Sequence, residues 1–338
     1  IIIALGGTPI TPEISGLKDI EFFTLDSILE NQRKLTHLVI IGGDAGAFEQ
    51  AQLQRRLGAQ VTLVPQGTAL SGFDAEATAI LFTALADEGV QIRQGTTVTA
   101  IKPRSQGVGI EIKTDDGATE SLDASHVLVS AGREVNFEEI DIAKANLKSG
   151  AATILRGPEG TTSSRSIRVV GTAAGQESWA EARAHGRAVV DAFLGAGQTN
   201  TSIRIPRIIE TEPAIAQIGP LVEEAGRARP GDTILRENMA ENDRAAVMGR
   251  DRGLVKVLVS AQGRIQRATV VGPQAGELAA ALALAMGRKT GLSELAALPL
   301  PRPSLFEVLS RLGENYLAGK AVSSPKKGGR ALQRLLRR

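Results

Sequence analysis

The 338-residue chain contains no cysteine. That excludes a disulfide framework, a thiolate nucleophile and a zinc–thiolate site supplied by these residues. Aromatic residues make up 3%, with a single tryptophan, Trp179, and a single tyrosine, Tyr316. They are too few and too scattered for a base-stacking platform. The net charge of +2 gives no global case for nucleic acid. Three histidines, His37, His126 and His185, have no metal-like spacing and no acid at a diagnostic interval. Core or surface roles are expected of them, and no metal site is expected. The longest apolar stretch, residues 278–286, is too short to span a bilayer. The residues show no P-loop or Ser-His-Asp elbow, and a secretory leader is not expected from them. Without cysteines the redox compartment stays open, and the cytoplasm is the default expectation.

What remains is ordinary globular composition, 42% hydrophobic and 22% charged, long enough for two or three domains. The opening "IIIALGG" reads as an entry in mid-strand, so a fragment or processed product is expected. Residues 1–35 are loop-rich. Residues 36–41 form an unbroken strand of the kind buried in a parallel sheet. A helix is expected over residues 45–57, stopped by Gly58, and "QVTLV" at 60–64 is the next strand. A second helix runs from Asp74 as N-cap to Glu88, stopped by Gly89. "VQIRQG" is a third strand. A meander follows in "TVTAIKP", "VGIEIKTDDG" and "ESLDASHVLVSAGR", with "DDG" as a hairpin turn. Residues 151–205 hold one strand, "SIRVVG", and one helix at 178–194. Further on, "VKVLVSAQGRIQRATVVG" is an antiparallel hairpin turning at 261–263. An Ala-rich helix at 275–286 suggests close packing, as at an interface. The tail from Ser323 interleaves Lys326, Lys327, Arg330, Arg334, Arg337 and Arg338 with leucines. A solvated or partner-docked helix is favoured there over a membrane-surface one.

The stretch "LVIIGGDAGAFEQ", residues 38–50, has the form of a dinucleotide-binding turn. In G-x-G-x-x-G the first glycine permits the tight turn, the second lets backbone approach the pyrophosphate, and the third lets helix pack on strand. Here those places hold Gly42, Asp44 and Ala47. Ala at the third is a tolerated variant. Asp44 puts a carboxylate against a dianionic ligand. At about 4 Å and an effective dielectric of about 20 a like-charge contact costs roughly 4 kcal/mol, about three decades of affinity. Asp44 could instead cap the helix itself. Gly43, Ala45 and Gly46 complete the turn, and its two glycines allow some adjustment. Two readings stand: a nucleotide site, or a self-capped relic. The end of the second strand offers Gln66 for a ribose hydroxyl, which does not choose between NAD and NADP.

Beyond this turn the chain resembles the pyridine nucleotide-disulfide oxidoreductases, and mercuric-reductase-like and dihydrolipoamide-dehydrogenase-like members in particular. "VIIGGDAGAFEQAQLQRRLGAQVTLV" is similar to the opening of their NAD domain and "HVLVSAGREVN" to the strand that closes it. "IRVVGTAAG" resembles their second flavin-contacting segment. "IPRIIETEPAIAQIG", "NDRAAVMG" and "GRIQRATVVGPQAGEL" resemble their dimerisation domain. "PRPSLFE", residues 301–307, sits at their His-Pro-Thr-x-x-Glu motif. The resemblance implies an α/β plus α+β fold. It would comprise a Rossmann-like NAD-binding domain with an inserted β-meander, a partial FAD domain, and an antiparallel-sheet dimerisation domain. The expected boundaries are 1–35 for the end of the first FAD segment, 36–150 for the NAD(P) domain and 151–205 for the second FAD segment. Residues 206–322 would be the dimerisation domain and 323–338 the basic tail. Members carry a further upstream segment with the first flavin unit and the redox cysteine pair, so the absence of cysteine here is in keeping.

The resemblance also assigns residues. Glu49 fits an acid near the nicotinamide, although an acid in an early helical turn needs no such role. Gly132 fits a loop passing the dinucleotide, or an ordinary turn. Gly171, Thr172 and Ala173 fit the FAD loop, with Thr172 where the family has an Asp that accepts from the ribityl chain. A hydroxyl accepts without charge assistance, about half as strongly. Arg302 stands where the family usually has its active-site His, and Glu307 where it has the Glu that holds it. Arginine stays protonated and cannot be a general base; Arg302 and Glu307 could form an ion pair instead. Thr211, Pro213 and Arg244 fit structural positions. The implied function is part of a flavin-dependent NAD(P)H oxidoreductase of the disulfide reductase type. Hydride would pass from nicotinamide to FAD and on to a disulfide or metal substrate. FAD and NAD(P) are the implied cofactors, the FAD site being incomplete, and the implied assembly is a homodimer. The alternative is a catalytically inactive, diverged or truncated member acting as a dimeric binding or structural protein.

Overall fold

Four apolar residues after His37 leave no polar face, so the strand they form must be covered on both sides. The computed structural model describes residues 1–137, 140–142, 144–148, 154, 160–176, 178–195, 204–220 and 230–323. The chain divides into two units, Ile1–Ser71 with Leu85–Ile205, and Gly72–Ala84 with Pro206–Arg338.

The first unit opens with three short strands, β1 (Ile2–Ile3), β2 (Thr8–Pro9) and β3 (Phe23–Thr24). The βαβ unit follows as β4 (His37–Ile41), α1 (Ala45–Arg56) and β5 (Gln60–Val64). Next along the chain come α2 (Ala75–Asp87), of which residues 75–84 belong to the second unit, and then, in the first, β6 (Val90–Ile92). A five-stranded parallel sheet in the order β3-β10-β4-β5-β6 forms once β10 (His126–Val129) enters between β3 and β4. The meander is a separate antiparallel sheet of β7 (Thr96–Pro103), β8 (Val108–Thr114) and β9 (Thr119–Ala124). Val39, Ile41, Val64, Val127 and Val129 on one face of the parallel sheet pack with Val98, Ile101, Ile110 and Ile112 of the meander. The meander therefore covers a face that a crossover helix would otherwise cover.

One expected segment divides. The run 120–133 does not continue as one strand, because Ser125 turns the chain between β9 and β10. Its N–H and Oγ both donate to the His37 carbonyl, and its Oγ accepts from the His37 N–H. The His37 ring is spent structurally, its Nδ1 2.8 Å from the Asp123 carbonyl and its Nε2 3.0 Å from Thr62 Oγ1. His126 stacks on Phe23. Burial, with a smaller contribution from the Arg33 charge, lowers its pKa below the usual imidazole range. The unit ends with β11 (Arg133–Glu134), β12 (Arg168–Val169) and α3 (Trp179–Phe193). β1 and β12 pair in parallel, and β2 and β11 antiparallel. Ser178 and Glu181 form a capping box at the head of α3.

The second unit is built on an antiparallel sheet of five strands in the order β13-β14-β17-β16-β15. They are β13 (Arg207–Ile209), β14 (Ala214–Ile218), β15 (Thr233–Asn238), β16 (Leu254–Val259) and β17 (Ile265–Gly272). The helices are α4 (Asp243–Val247), α5 (Ala275–Gly287), α6 (Leu292–Ala296) and α7 (Glu307–Ser323). Ala275, Leu278, Ala279, Leu282 and Ala283 of α5 sit in one core with Val255, Val257 and Val270 of the sheet. The small residues of α5 thus pack closely against the sheet of their own unit. β15, α6 and α7 had no counterpart in the sequence reading. The basic tail lies, from residue 324 onward, outside the described residues.

Glu237 of β15 is buried and accepts from Asn315 Nδ2 of α7. Burial, outweighing the Asn315 bond, holds its carboxyl above the usual value of 4.5. The folded state therefore binds this proton more tightly than the unfolded one. The associated stability is complete below the unfolded pKa and is lost as pH rises through the folded one. Glu237→Gln is expected to raise the denaturant midpoint at about pH 7, with the gain disappearing near about pH 4. Urea titrations of both proteins across that range check this.

Candidate functional site

The ends of β4, β5 and β10 converge on one turn in the first unit. Gly42 has φ of 154°, and a β-carbon on it would lie 2.0 Å from the Ser130 carbonyl oxygen. Only glycine fits this close approach. The Gly42 N–H donates to the Val64 carbonyl at 3.1 Å and the Ser130 N–H to the Ile41 carbonyl at 2.8 Å. Gly43 abuts Pro65, and its carbonyl accepts from the Leu70 N–H at 2.7 Å. Gly46 faces the flexible end of Leu25. Ala47 is fully buried, so its methyl is accommodated where a third glycine would allow helix–strand packing.

Asp44 is the N-cap of α1. Its Oδ1 accepts from the Ala47 N–H at 2.9 Å and from Ser130 Oγ at 2.6 Å. The carboxylate thus occupies the place where the helix N-terminus would attract an exogenous anion. Sequence reasoning did not single out Ser130. The only available signal was a small hydroxyl residue directly after a strand adjoining the central one. Around the turn, Gln66 is exposed after buried Pro65, and Glu49 is half-buried in α1. Gly132 is exposed with φ of 90°, a β-carbon on it would lie 3.7 Å from Ile10 Cδ1, and its carbonyl accepts from the Ile10 N–H. The structure therefore gathers Gly42–Gly46, Gln66 and Gly132 at the carboxyl ends of parallel strands, where such sheets bind ligands. The turn itself does not fit a pyrophosphate, because Asp44 holds the N–H that the phosphate would need.

Gly171, Thr172 and Ala173 form a short turn, Gly171–Ala174, after β12. Gly171 has φ of 68°, Ala173 is buried, and Thr172 sits beside Gly7. An open cavity of about 830 Å³ is lined by Thr8, Glu134, Asn136, Phe137 and Asp141, among others. Thr172 offers a hydroxyl acceptor without charge, so it does not fit the ionic acceptor role that a ribityl chain would use there.

In the second unit Glu307 is the first residue of α7 and is buried, while Arg302 is 81% exposed along its side chain. Arg302 Nε lies 2.7 Å from Glu307 Oε1, a charge contact without hydrogen-bond alignment. The two residues form an ion pair, and it leaves no group able to take a proton at position 302. Thr211 Oγ1 donates to the Pro213 carbonyl, a structural bond. Among the described residues no group of His, Asp and Glu is placed to hold a metal, and no helix is long and apolar enough to cross a membrane.

Comparisons with known proteins agree with this architecture. Residues 1–186 match the family model described as pyridine nucleotide-disulphide oxidoreductase, and residues 205–312 match its dimerisation domain. A mercuric reductase of Streptomyces lividans is 28% identical over 331 residues, covering 96% of this chain and 69% of that protein. Dihydrolipoyl dehydrogenase 3 of Pseudomonas aeruginosa is 30% identical over 317 residues, covering 91% and 67%. A dihydrolipoyl dehydrogenase of Thermus scotoductus is 29% identical, and the chain spans 61% of its length. Among solved structures, the HOCl-induced flavoprotein disulfide reductase RclA of Escherichia coli superposes with a TM-score of 0.85 at 21% identity, covering 93% of this chain and 72% of that one. LpdA of Mycobacterium tuberculosis gives 0.84 at 22%, covering 93% and 69%. Both units of the fold and two family models in collinear order say the same thing: this chain belongs to the pyridine nucleotide-disulphide oxidoreductase family.

Proposed function

We propose that the chain supplies the NAD(P)-type domain, part of the FAD domain and the dimerisation domain of a flavin-dependent oxidoreductase of the disulfide reductase type, acting on a disulfide or metal substrate. The observation that carries this reading is the collinear match of both units to the family and its dimerisation domain. FAD and NAD(P) are the cofactors that membership implies. Assembly as a cytoplasmic homodimer through the second unit accords with it. The turn at Gly42–Gly46 with Gln66, Glu49 and Gly132 is assigned to NAD(P), the loop at Gly171, Thr172 and Ala173 to FAD, and Arg302 with Glu307 to the catalytic position.

A second reading is favoured by specific geometry. Asp44 is self-bonded at the helix N-terminus, Thr172 lacks a charge, and Arg302 is paired with Glu307 and cannot act as a base. All three departures fall at positions the resemblance assigns to cofactor or chemistry. They support a diverged member that keeps the fold and dimer but does not turn over as this chain alone, serving as a binding or structural protein. The purified chain is expected to be colourless after incubation with FAD and desalting. It is also expected to show no NADH-dependent reduction of an artificial acceptor. A yellow protein absorbing near about 450 nm, as bound flavins do, would overturn the second reading and leave the first.

A further inference from the structure

The misfit between the β4–α1 turn and a pyrophosphate has a specific cause. Asp44 alone could swing aside, since an N-cap side chain rotates about two bonds. Two bonds prevent that: the Ala47 N–H at 2.9 Å and Ser130 Oγ at 2.6 Å converge on the same Oδ1. Ser130 is itself fixed. Its side chain is nearly buried, and its N–H donates to the Ile41 carbonyl at 2.8 Å, so it cannot follow a departing carboxylate. The hydroxyl bond is charge-assisted, the stronger class. The glycine at 42 brings the two strand ends close enough for this bond to span them.

We infer that Asp44 is a built-in occupant of the phosphate position, and that Ser130 is the positioning residue that locks it there. The pair is then a specificity determinant that rejects pyrophosphate-bearing nucleotides at this turn. The inference rests on the reading of the turn as this chain's counterpart of a nucleotide site. It is separate from the question of flavin binding. Two forces act together. The carboxylate repels a dianion, and it also withdraws the helix N–H that would have compensated the phosphate charge.

The test is titration of the full chain with NADH, followed by nicotinamide fluorescence, for the parent and four variants. Asp44→Asn keeps the cap and the shape while removing the charge, and Asp44→Gly removes charge and side chain together; glycine is well tolerated at an N-cap, so folding is retained. Ser130→Ala removes the lock and Ser130→Thr restores its hydroxyl. The parent is expected to show no saturable binding, and Asp44→Asn and Asp44→Gly to gain about tenfold or more in affinity. Ser130→Ala should gain less, and Ser130→Thr should behave as the parent. A role of Ser130 in stability alone would not separate alanine from threonine in NADH affinity while their denaturation midpoints agree. Four outcomes overturn the inference. They are saturable binding by the parent, a gain for glycine without a gain for asparagine, no gain for either, and identical behaviour of Ser130→Ala and Ser130→Thr. The flavin test above is decided by colour and does not depend on any of these.

Discussion

Lys256→Met is expected to lower the stability of the second unit by about 3–5 kcal/mol, the cost of breaking a buried ion pair on one side only. β16 is buried on both faces, with Val255, Val257 and Val259 in the hydrophobic core. Alternation puts Lys256 on the opposite face, where it meets the start of α2. Its Nζ lies 2.8 Å and 3.0 Å from the two oxygens of Asp74 and 3.0 Å from Glu76 Oε2. Asp74 is completely buried and is also the cap of α2, accepting from the Glu76 and Ala77 N–H groups. Methionine would leave that carboxylate in the protein interior without its cation. The neighbouring strands hold the same five residues, 72–76. Gln217 Oε1 accepts from the Asp74 N–H at 2.9 Å, and its Nε2 donates to the Gly72 carbonyl at 2.8 Å. Arg207 also donates to that carbonyl and covers the Phe73 ring, and Arg236 pairs with Glu76. Chemical denaturation should therefore show a large loss. Hydrogen exchange should show it concentrated in the amides of Gly72–Ala84 and β16. The double variant Lys256→Met with Asp74→Asn should be less unstable than the single one, because no unpaired charge remains. A single-variant loss under about 0.5 kcal/mol, the size of a surface substitution, would show that this network contributes little.

That network was invisible in the sequence, and the reason is physical. Asp74 was recognised as an N-cap, because capping is local: the acceptor and the N–H groups it satisfies are within three residues. Lys256 pairs with it across 182 positions. No periodicity in "VKVLV" distinguishes a buried, paired lysine from a solvated one. For the same reason the signals that mark a helix over residues 74–88 are local and carry no trace of the contacts by which Gly72–Ala84 cluster with the second unit. The parallel strands at 37–41 and 60–64 and the helix between them were readable because their apolar runs and glycine stops are local signals. At the candidate site the same division holds. Asp44 was legible both as a wrong residue for a phosphate and as a potential cap. Its bond to Ser130 joins the ends of two strands separated by 86 positions and could not be read from either. The Arg302–Glu307 pair, only five residues apart, could be.

Gly42→Ala is expected to cost the first unit about 3 kcal/mol or more, at the upper end of what overpacking imposes. The added carbon would lie 2.0 Å from the Ser130 carbonyl oxygen and 2.9 Å from its carbon. These are backbone atoms in an adjoining strand, so a side-chain rotation cannot relieve the clash. Ser130 is joined to Ile41 by its N–H, and the strands below are in register at Ile41 and Val129. Moving Ser130 away therefore strains the β4–β10 ladder at the centre of the sheet. A φ of 154° at Gly42 adds a conformation that residues with a β-carbon rarely adopt. Gly67→Ala separates the two causes: Gly67 has φ of 83° but nothing within 4 Å of an added carbon. It should cost only the left-handed strain, about 1–2 kcal/mol. Denaturation midpoints of the two variants, with exchange rates in β4 and β10, measure the difference. Equal losses would mean that the close approach to Ser130 relaxes freely. Because the same serine holds Asp44, a turn forced open at Gly42 should also loosen the carboxylate. The glycine that gives a nucleotide turn its tightness is here the residue that lets the chain close the turn on itself.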